Sequence, residues 1–231
     1  GSTALAAVGS TASLINLMIN VFVGLSVGVN VLAARYYGAQ KEKDIQDTVH
    51  TAIMMAILSG LFLVVLGESA SKPMLTLMGT PDDVLDQAAL YLRIYFFGMP
   101  VLMIYNFGAA LLRAVGDTRR PLYFLFAAGA VNVVLNLFFV IQLGMGVDGV
   151  AWATVISECV SAGLIIRSLM KERGAMKLHL SKLRVVPEKL KQIIRIGLPA
   201  GMQGAIFSIS NVLIQSSINS FGSTAMAGNA A

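Results

Sequence analysis

The sequence predicts an all-α, polytopic bundle of membrane-spanning helices, on three observations. Of its 231 residues 56% are hydrophobic and 13% charged, which is more apolar surface than a water-soluble fold of that length buries. The charges are clustered and leave uncharged runs over 4–34, 94–112, 121–147 and 196–231, where about 20 apolar residues suffice to cross a bilayer. The runs are continuous, whereas a membrane β-strand alternates over about 10 residues, so helices are expected.

Reading apolar runs against charges gives six spans, at about 4–34, 48–67, 87–112, 121–143, 149–170 and 196–221. The first carries Gly24-x-x-x-Gly28, which allows another helix to approach closely without implying dimerisation. The third and sixth are interrupted by Pro100 and Pro199, each removing a backbone hydrogen bond and permitting a bend, so both are candidate hinges, though proline is also tolerated for packing alone. The basic residues orient the spans. Arg35, Lys41 and Lys43 follow the first, Arg113, Arg119 and Arg120 follow the third, and nine more lie between Arg167 and Arg195. The other side holds only Lys72 and Arg93, among the acids Glu68, Asp82, Asp83, Asp86 and Asp148. By the positive-inside rule the three basic loops are cytoplasmic, so Gly1 lies outside. With no signal peptide to place it there, an odd number of preceding spans, most simply one, is expected.

The net charge of +5 is accounted for by these loops, so no nucleic-acid partner is expected; the surrounding lipid is the partner composition implies. Cys159 is the single cysteine, which excludes a disulfide framework and a thiolate metal cluster. His50 and His179 have no metal-ligand company in the sequence. Gly144-x-Gly146-x-x-Gly149 matches a dinucleotide fingerprint in spelling alone, since it follows a membrane span and not a strand.

Gly1-Ser2-Thr3-Ala4-Leu5-Ala6 recurs as Gly222-Ser223-Thr224-Ala225-Met226-Ala227, on the same expected side and each time opening a helix. Chance is one explanation, since these residues are common in membrane helices. A true repeat places an even number of spans between the copies, as in parallel repeats about an axis along the membrane normal. The chain then holds six of an expected twelve transmembrane helices, in two parallel six-helix repeats.

Polar groups inside a span must be paired or line a wet cavity. Asn132 and Asn136 are four residues apart on one face of the fourth span, where their carbonyls could approach a dehydrated cation. Thr154, early in the fifth span, comes down beside them at similar depth. The alternative is plain interhelical hydrogen bonding, worth roughly 1 kcal/mol per contact. Glu158, one turn from Thr154, is the acid set well inside an apolar run. Ionised and unpaired it is costly, so it requires protonation, a partner or water. It is a candidate H⁺ or cation site, against a structural carboxyl with no part in any cycle. In the sixth span Gln203, Asn211 and Gln215 form a stripe with Ser208 nearby; on the third, Asn106 is flanked by Tyr105 and Phe107. These are candidate cavity residues, against simple helix packing. The twelve methionines and the aromatics suit adaptable binding of flat apolar cations, or are lipid-facing bulk.

Four stretches resemble one family. Leu112-Arg113-Ala114-Val115-Gly116-Asp117-Thr118-Arg119-Arg120-Pro121 resembles the fourth-to-fifth helix junction of the multidrug and toxic compound extrusion (MATE) transporters. Gly146-Val147-Asp148-Gly149-Val150-Ala151-Trp152-Ala153-Thr154 resembles their fifth-to-sixth turn, Ile196-Gly197-Leu198-Pro199-Ala200-Gly201 the opening of their seventh helix, and the Gly-Ser-Thr-Ala openings their second and eighth. The resemblance implies that 1–170 holds helices two to six of an N-terminal lobe, 171–194 a basic cytoplasmic inter-lobe linker, and 195–231 the first helix of the C-terminal lobe and the start of the next. It implies a multi-pass plasma-membrane protein, of a bacterial inner membrane, that exchanges Na⁺ or H⁺ for small organic, often cationic, compounds by alternating access, with no other cofactor and with the C-terminal lobe of its parent chain as partner. The Asn132, Asn136 and Thr154 set matches the family's sodium-type site except at Asn136, where members often carry Asp. A lipid-linked oligosaccharide flippase of the same superfamily is the alternative, disfavoured by the uncharged interiors of the first, third, fourth and sixth spans. A membrane-embedded enzyme would need convergent acids, His or Cys at one depth, and Glu158 alone does not make such a site.

Overall fold

The computed structural model describes residues 2–230. Helices α1 (Ser2–Gly38), α2 (Glu42–Leu77), α3 (Asp82–Phe97), α4 (Met99–Ala114), α5 (Arg119–Leu137), α6 (Val147–Lys171), α7 (Pro187–Asn219) and α8 (Ser223–Ala230) follow one another. A π-helical turn, Phe138–Gln142, prolongs α5, and two 3-10 turns, Gly174–Met176 and Leu180–Lys182, lie between α6 and α7. Five helices, α1, α2, α5, α6 and α7, are each long and apolar enough to cross a membrane, and α3 with α4, bent by 49° at their junction, makes a sixth when the pair is counted as one span. The protein is a helical membrane bundle, apolar on its outside as well as in its core. Leu58, Leu61, Phe62 and Val65 on α2 and Leu122, Phe126, Val133 and Val134 on α5 stand exposed on its outside, where lipid tails solvate them.

The third expected span is two helices because Gly98 closes α3 and Pro100 is the second residue of α4, with no N–H to carry the ladder across. A Cβ on Gly98 would lie 2.8 Å from Val155 Cγ2, so α6 packs into the bend. Pro199 does not interrupt its helix. α7 runs through it unbroken, with the proline on an exposed face and the turns on either side held against α1 by Gly197 and Gly201. Two boundaries also move. α2 continues past Gly67 to Leu77, its extension tied to α3 by Arg93–Glu68 at 2.7 Å and Lys72–Asp86 at 3.0 Å. α7 begins at Pro187, a favoured first helical residue, so the second half of the basic segment is helix.

α1 is the centre of the bundle, packed against α2, α3, α4, α7 and α8, most extensively against α7. Leu14, Val29, Leu32, Phe96, Phe107 and Leu111 are fully buried around it. Gly24 and Gly28 of α1 face Gly201 and Gly197 of α7, and a Cβ on Gly24 would lie 2.2 Å from Gly201 Cα. The two backbones therefore touch directly, the close approach Gly24-x-x-x-Gly28 permits. α8, which the second Gly-Ser-Thr-Ala opening begins, packs on α1, with Ala6, Ala7, Met226 and Ala227 all buried; Gly1 lies outside the described residues.

At the other end of α1 the basic segments converge. The buried Lys189 Nζ donates to Asp44 Oδ1 at 2.6 Å and to Tyr36 Oη at 2.9 Å, and Tyr36 Oη donates to Gln192 Oε1 at 2.7 Å. Arg184 pairs with Asp47 at 2.5 Å, and the Val186 N–H donates to Thr51 Oγ1 at 3.1 Å. The His179 N–H donates to Nε2 of His50 at 3.2 Å, and the two imidazoles stack. The segment between α6 and α7 thus lies docked along the start of α2, where the sequence suggested only a charged connection. The two histidines meet there; among the described residues no three His, Cys, Asp or Glu side chains are grouped to hold a metal.

Candidate functional site

α5 is a peripheral helix with little buried surface of its own, where Pro121 and Ala128 are its buried residues. In mid-span its side-chain contact with the bundle is to α6. Asn136 Nδ2 donates to Asn132 Oδ1 at 2.9 Å, and Asn132 Nδ2 lies 3.4 Å from both Thr154 Oγ1 and Ser157 Oγ. The two hydroxyls spend their protons on their own helix, Thr154 on Val150 O at 3.0 Å and Ser157 on Thr154 O at 2.7 Å, so their lone pairs face α5. Asn136 Oδ1 is, among the described residues, the buried side-chain oxygen or nitrogen without a hydrogen-bond partner. An uncompensated carbonyl of this kind is costly in a low-dielectric interior. The arrangement is a cluster of neutral oxygens with one left open, the chemistry that accepts a hard cation or a hydrogen-bond donor.

Three of the four expected cation residues are thereby brought together. Ser157 joins them; its signal in the sequence was the three-residue spacing from Thr154, which puts both on one helix face. Glu158 lies one turn from Thr154 on α6, half-buried, and among the described residues its carboxyl forms no ion pair or side-chain hydrogen bond. At about 1.5 Å per residue it sits roughly 16 Å from the start of α6. The π-helical turn begins two residues after Asn136; such turns are frequent at functional sites, and nothing in Phe138–Gln142 announced it.

The expected cavity residues separate into three places. Gln203 and Asn211 line an open groove of about 460 Å³ between α1 and α7, with Asn16, Asn20, Phe207 and Ser208. Asn20 Nδ2 bridges the helices, donating to Ser208 Oγ at 2.6 Å. Gln215 is not in that groove: it is buried and donates to Asn219 Oδ1 at 3.0 Å. Tyr105 and Asn106 are also elsewhere. The Tyr105 hydroxyl donates to Pro121 O at 2.8 Å, tying α4 to α5, and the Asn106 amide is turned back onto Leu102 O at 2.9 Å. Gln215 leaves the stripe to hold Asn219, which reaches the Met78 carbonyl of the α2–α3 turn, a tertiary contact that helical spacing does not encode. Asn16 and Asn20, four apart in an uncharged run, carry the same polar signal as Asn132 and Asn136.

The MatE family model matches residues 1–161. The chain belongs to the MATE family. A probable multidrug resistance protein of Bacillus subtilis (strain 168), YoeA, is 32% identical over 236 residues, covering 98% of this chain and 50% of the relative. The FAD transporter of Shewanella oneidensis is 26% identical over 93% of this chain and 48% of its own length. Among solved structures, an inward-facing multidrug resistance MATE transporter of the MOP superfamily superposes with a TM-score of 0.89 at 26% identity, over 98% of this chain and 52% of that one. An outward-facing one gives 0.83 at 27% identity, over 91% and 47%. This MATE chain spans about half the length of the relatives it matches.

Proposed function

We propose that the protein is a secondary-active efflux transporter of the MATE type, exchanging Na⁺ or H⁺ for organic, often cationic, compounds by alternating access. In this reading the chain supplies helices two to seven and the start of the eighth, a second lobe completes the cavity, and the basic loops are cytoplasmic. Homologues named as multidrug resistance proteins support efflux, and transport rather than catalysis. The FAD transporter among the relatives means that family membership does not name the cargo.

The observation that carries the reading is the open Asn136 Oδ1 beside Asn132, Thr154 and Ser157. A cation arriving there gains an oxygen that the protein has already desolvated, so binding relieves a cost instead of incurring one. Glu158, free of side-chain partners one turn away, supplies a group able to take up a proton or add a negative charge. The uncharged carboxamide lining of the α1–α7 groove suits organic cargo better than the phosphate of a lipid-linked oligosaccharide.

The test is ethidium efflux from vesicles containing the complete transporter, driven in turn by an imposed Na⁺ or proton gradient. One gradient drives efflux, Asn136→Leu reduces the driven rate at least roughly tenfold, and Glu158→Gln abolishes coupling if protons are the ion used. Efflux indifferent to both gradients refutes antiport, and undiminished ion-driven efflux by Glu158→Gln removes that residue from the cycle.

A further inference from the structure

The buried face of α7 changes character along its length. Toward the basic loops it buries Lys189, Ile193, Gly197 and Gly201; beyond Gly201 its buried residues are Ser208, Gln215 and Asn219, all polar. The first half is anchored by the Lys189–Asp44 and Tyr36–Gln192 contacts and by the glycine notch on α1. The second half borders the open groove and is then tied down once more at its far end.

That tie has a definite origin. α2 ends in a turn where Gly79 adopts φ +67°, and the N–H groups of Gly79 and Thr80 cap Thr76 O and Leu75 O. The Met78 carbonyl receives none of these bonds. Asn219 Nδ2 fills the position, donating to Met78 O at 3.1 Å with Thr80 Oγ1 at 3.5 Å, while Gln215 Nε2 donates to Asn219 Oδ1 at 3.0 Å. Asn219 is 2% exposed and Gln215 5%.

We infer that Asn219 is a latch that closes the bundle at the end opposite the basic loops, holding α7 to the α2–α3 turn in one state of the cycle and releasing it in the other. The inference rests on the transporter reading above. Its physical basis is the choice of neutral amides where apolar residues would seal better. Apolar surfaces pulled apart expose hydrophobic area to entering water, whereas a carboxamide and a carbonyl exchange each other for water at small net cost. A seam built from Ser208, Gln215 and Asn219 is therefore reversible, and the charged, glycine-packed half of α7 is the part about which it swings.

Pulsed electron spin resonance on the complete, cysteine-free transporter tests this, with labels at Thr76→Cys and Ser220→Cys, both exposed positions flanking the latch. The unaltered latch gives a short and a long distance whose balance responds to the ion gradient. Asn219→Leu raises the long-to-short ratio roughly five- to tenfold, the loss of one to two neutral hydrogen bonds. Thr80→Val, which keeps the volume and removes only the weaker contact, raises it less and keeps the test alive if Asn219→Leu fails to fold. Unchanged ratios in both variants overturn the latch while leaving the transporter reading intact. A single distance under every gradient overturns the latch, whereas efflux by the same protein that neither gradient drives overturns the transporter reading.

Discussion

Alanine at Gly24 or Gly201 separates packing from propensity. A Cβ on Gly24 would stand 2.2 Å from Gly201 Cα and N and 2.9 Å from Gly197 O; one on Gly201 would stand 2.6 Å from Val21 O. All of these are backbone atoms, which cannot rotate away. Carbon atoms rest about 3.5–4.0 Å apart, so α1 and α7 must part by more than an ångström, pulling on the Asn20–Ser208 and Tyr36–Gln192 hydrogen bonds along the same seam. Overpacking of this kind costs about 1–3 kcal/mol. Gly129 and Gly163 are helical too, yet a Cβ there meets nothing within 4 Å, and alanine stabilises a helix over glycine by about 0.5–1 kcal/mol. The same chemical change therefore has opposite signs at the two pairs of sites. Unfolding by denaturant in detergent, followed by the fluorescence of Trp152, measures it. Gly24→Ala and Gly201→Ala unfold earlier than the parent, and Gly129→Ala and Gly163→Ala no earlier. Equal midpoints for Gly24→Ala and Gly129→Ala would refute the direct backbone contact of α1 with α7.

A double-mutant cycle on Asp44→Asn and Lys189→Met gives a coupling of about 1–3 kcal/mol, with Asp44→Asn alone the worse single change because it strands the buried Lys189 ammonium. In the α4–α5 loop, partial burial pushes the Asp117 carboxyl up, but hydrogen bonds from the Arg120 backbone and guanidinium outweigh it and hold the group below the ordinary carboxylate value of 3.8. Its stabilisation is present above that value and is lost as pH falls through the lowered one, so Asp117→Asn lowers the neutral-pH unfolding midpoint and flattens the acid limb of its pH profile. Thr51→Val removes the acceptor of the Val186 N–H and costs about 1 kcal/mol, visible as faster proteolysis of the segment between α6 and α7. Asn136→Leu deletes an unpartnered carbonyl but also the donor to Asn132 Oδ1, two changes of opposite sign and each about 1 kcal/mol, so its unfolding midpoint stays close to the parent's; a clear destabilisation would mean that the amide is structural.

The six spans were legible because membrane insertion is decided locally: a run such as 121–143 must satisfy its own backbone bonds in lipid, so composition and length suffice. Asn132, Asn136 and Thr154 were legible for a related reason, since polar atoms in such runs are too costly to be idle and a four-residue spacing fixes a shared face. Pro100 marked a real break, whereas Pro199 did not: a proline states only that one hydrogen bond is missing, and whether the helix bends depends on what braces it.

What the sequence by itself determined is the solvent of this protein, where its apolar spans lie, the family they belong to and the faces on which amides gather. Only the tertiary structure decided that Gly24 and Gly28 meet Gly201 and Gly197 in place of another copy, that His50 receives the chain at His179, and that Gln215 turns from the groove to hold Asn219. The reason is separation along the chain. The Asn219 bond to Met78 joins residues 141 positions apart, and no local pattern of hydrophobicity or spacing carries the relative placement of two helices; that placement is fixed by how their backbones fit.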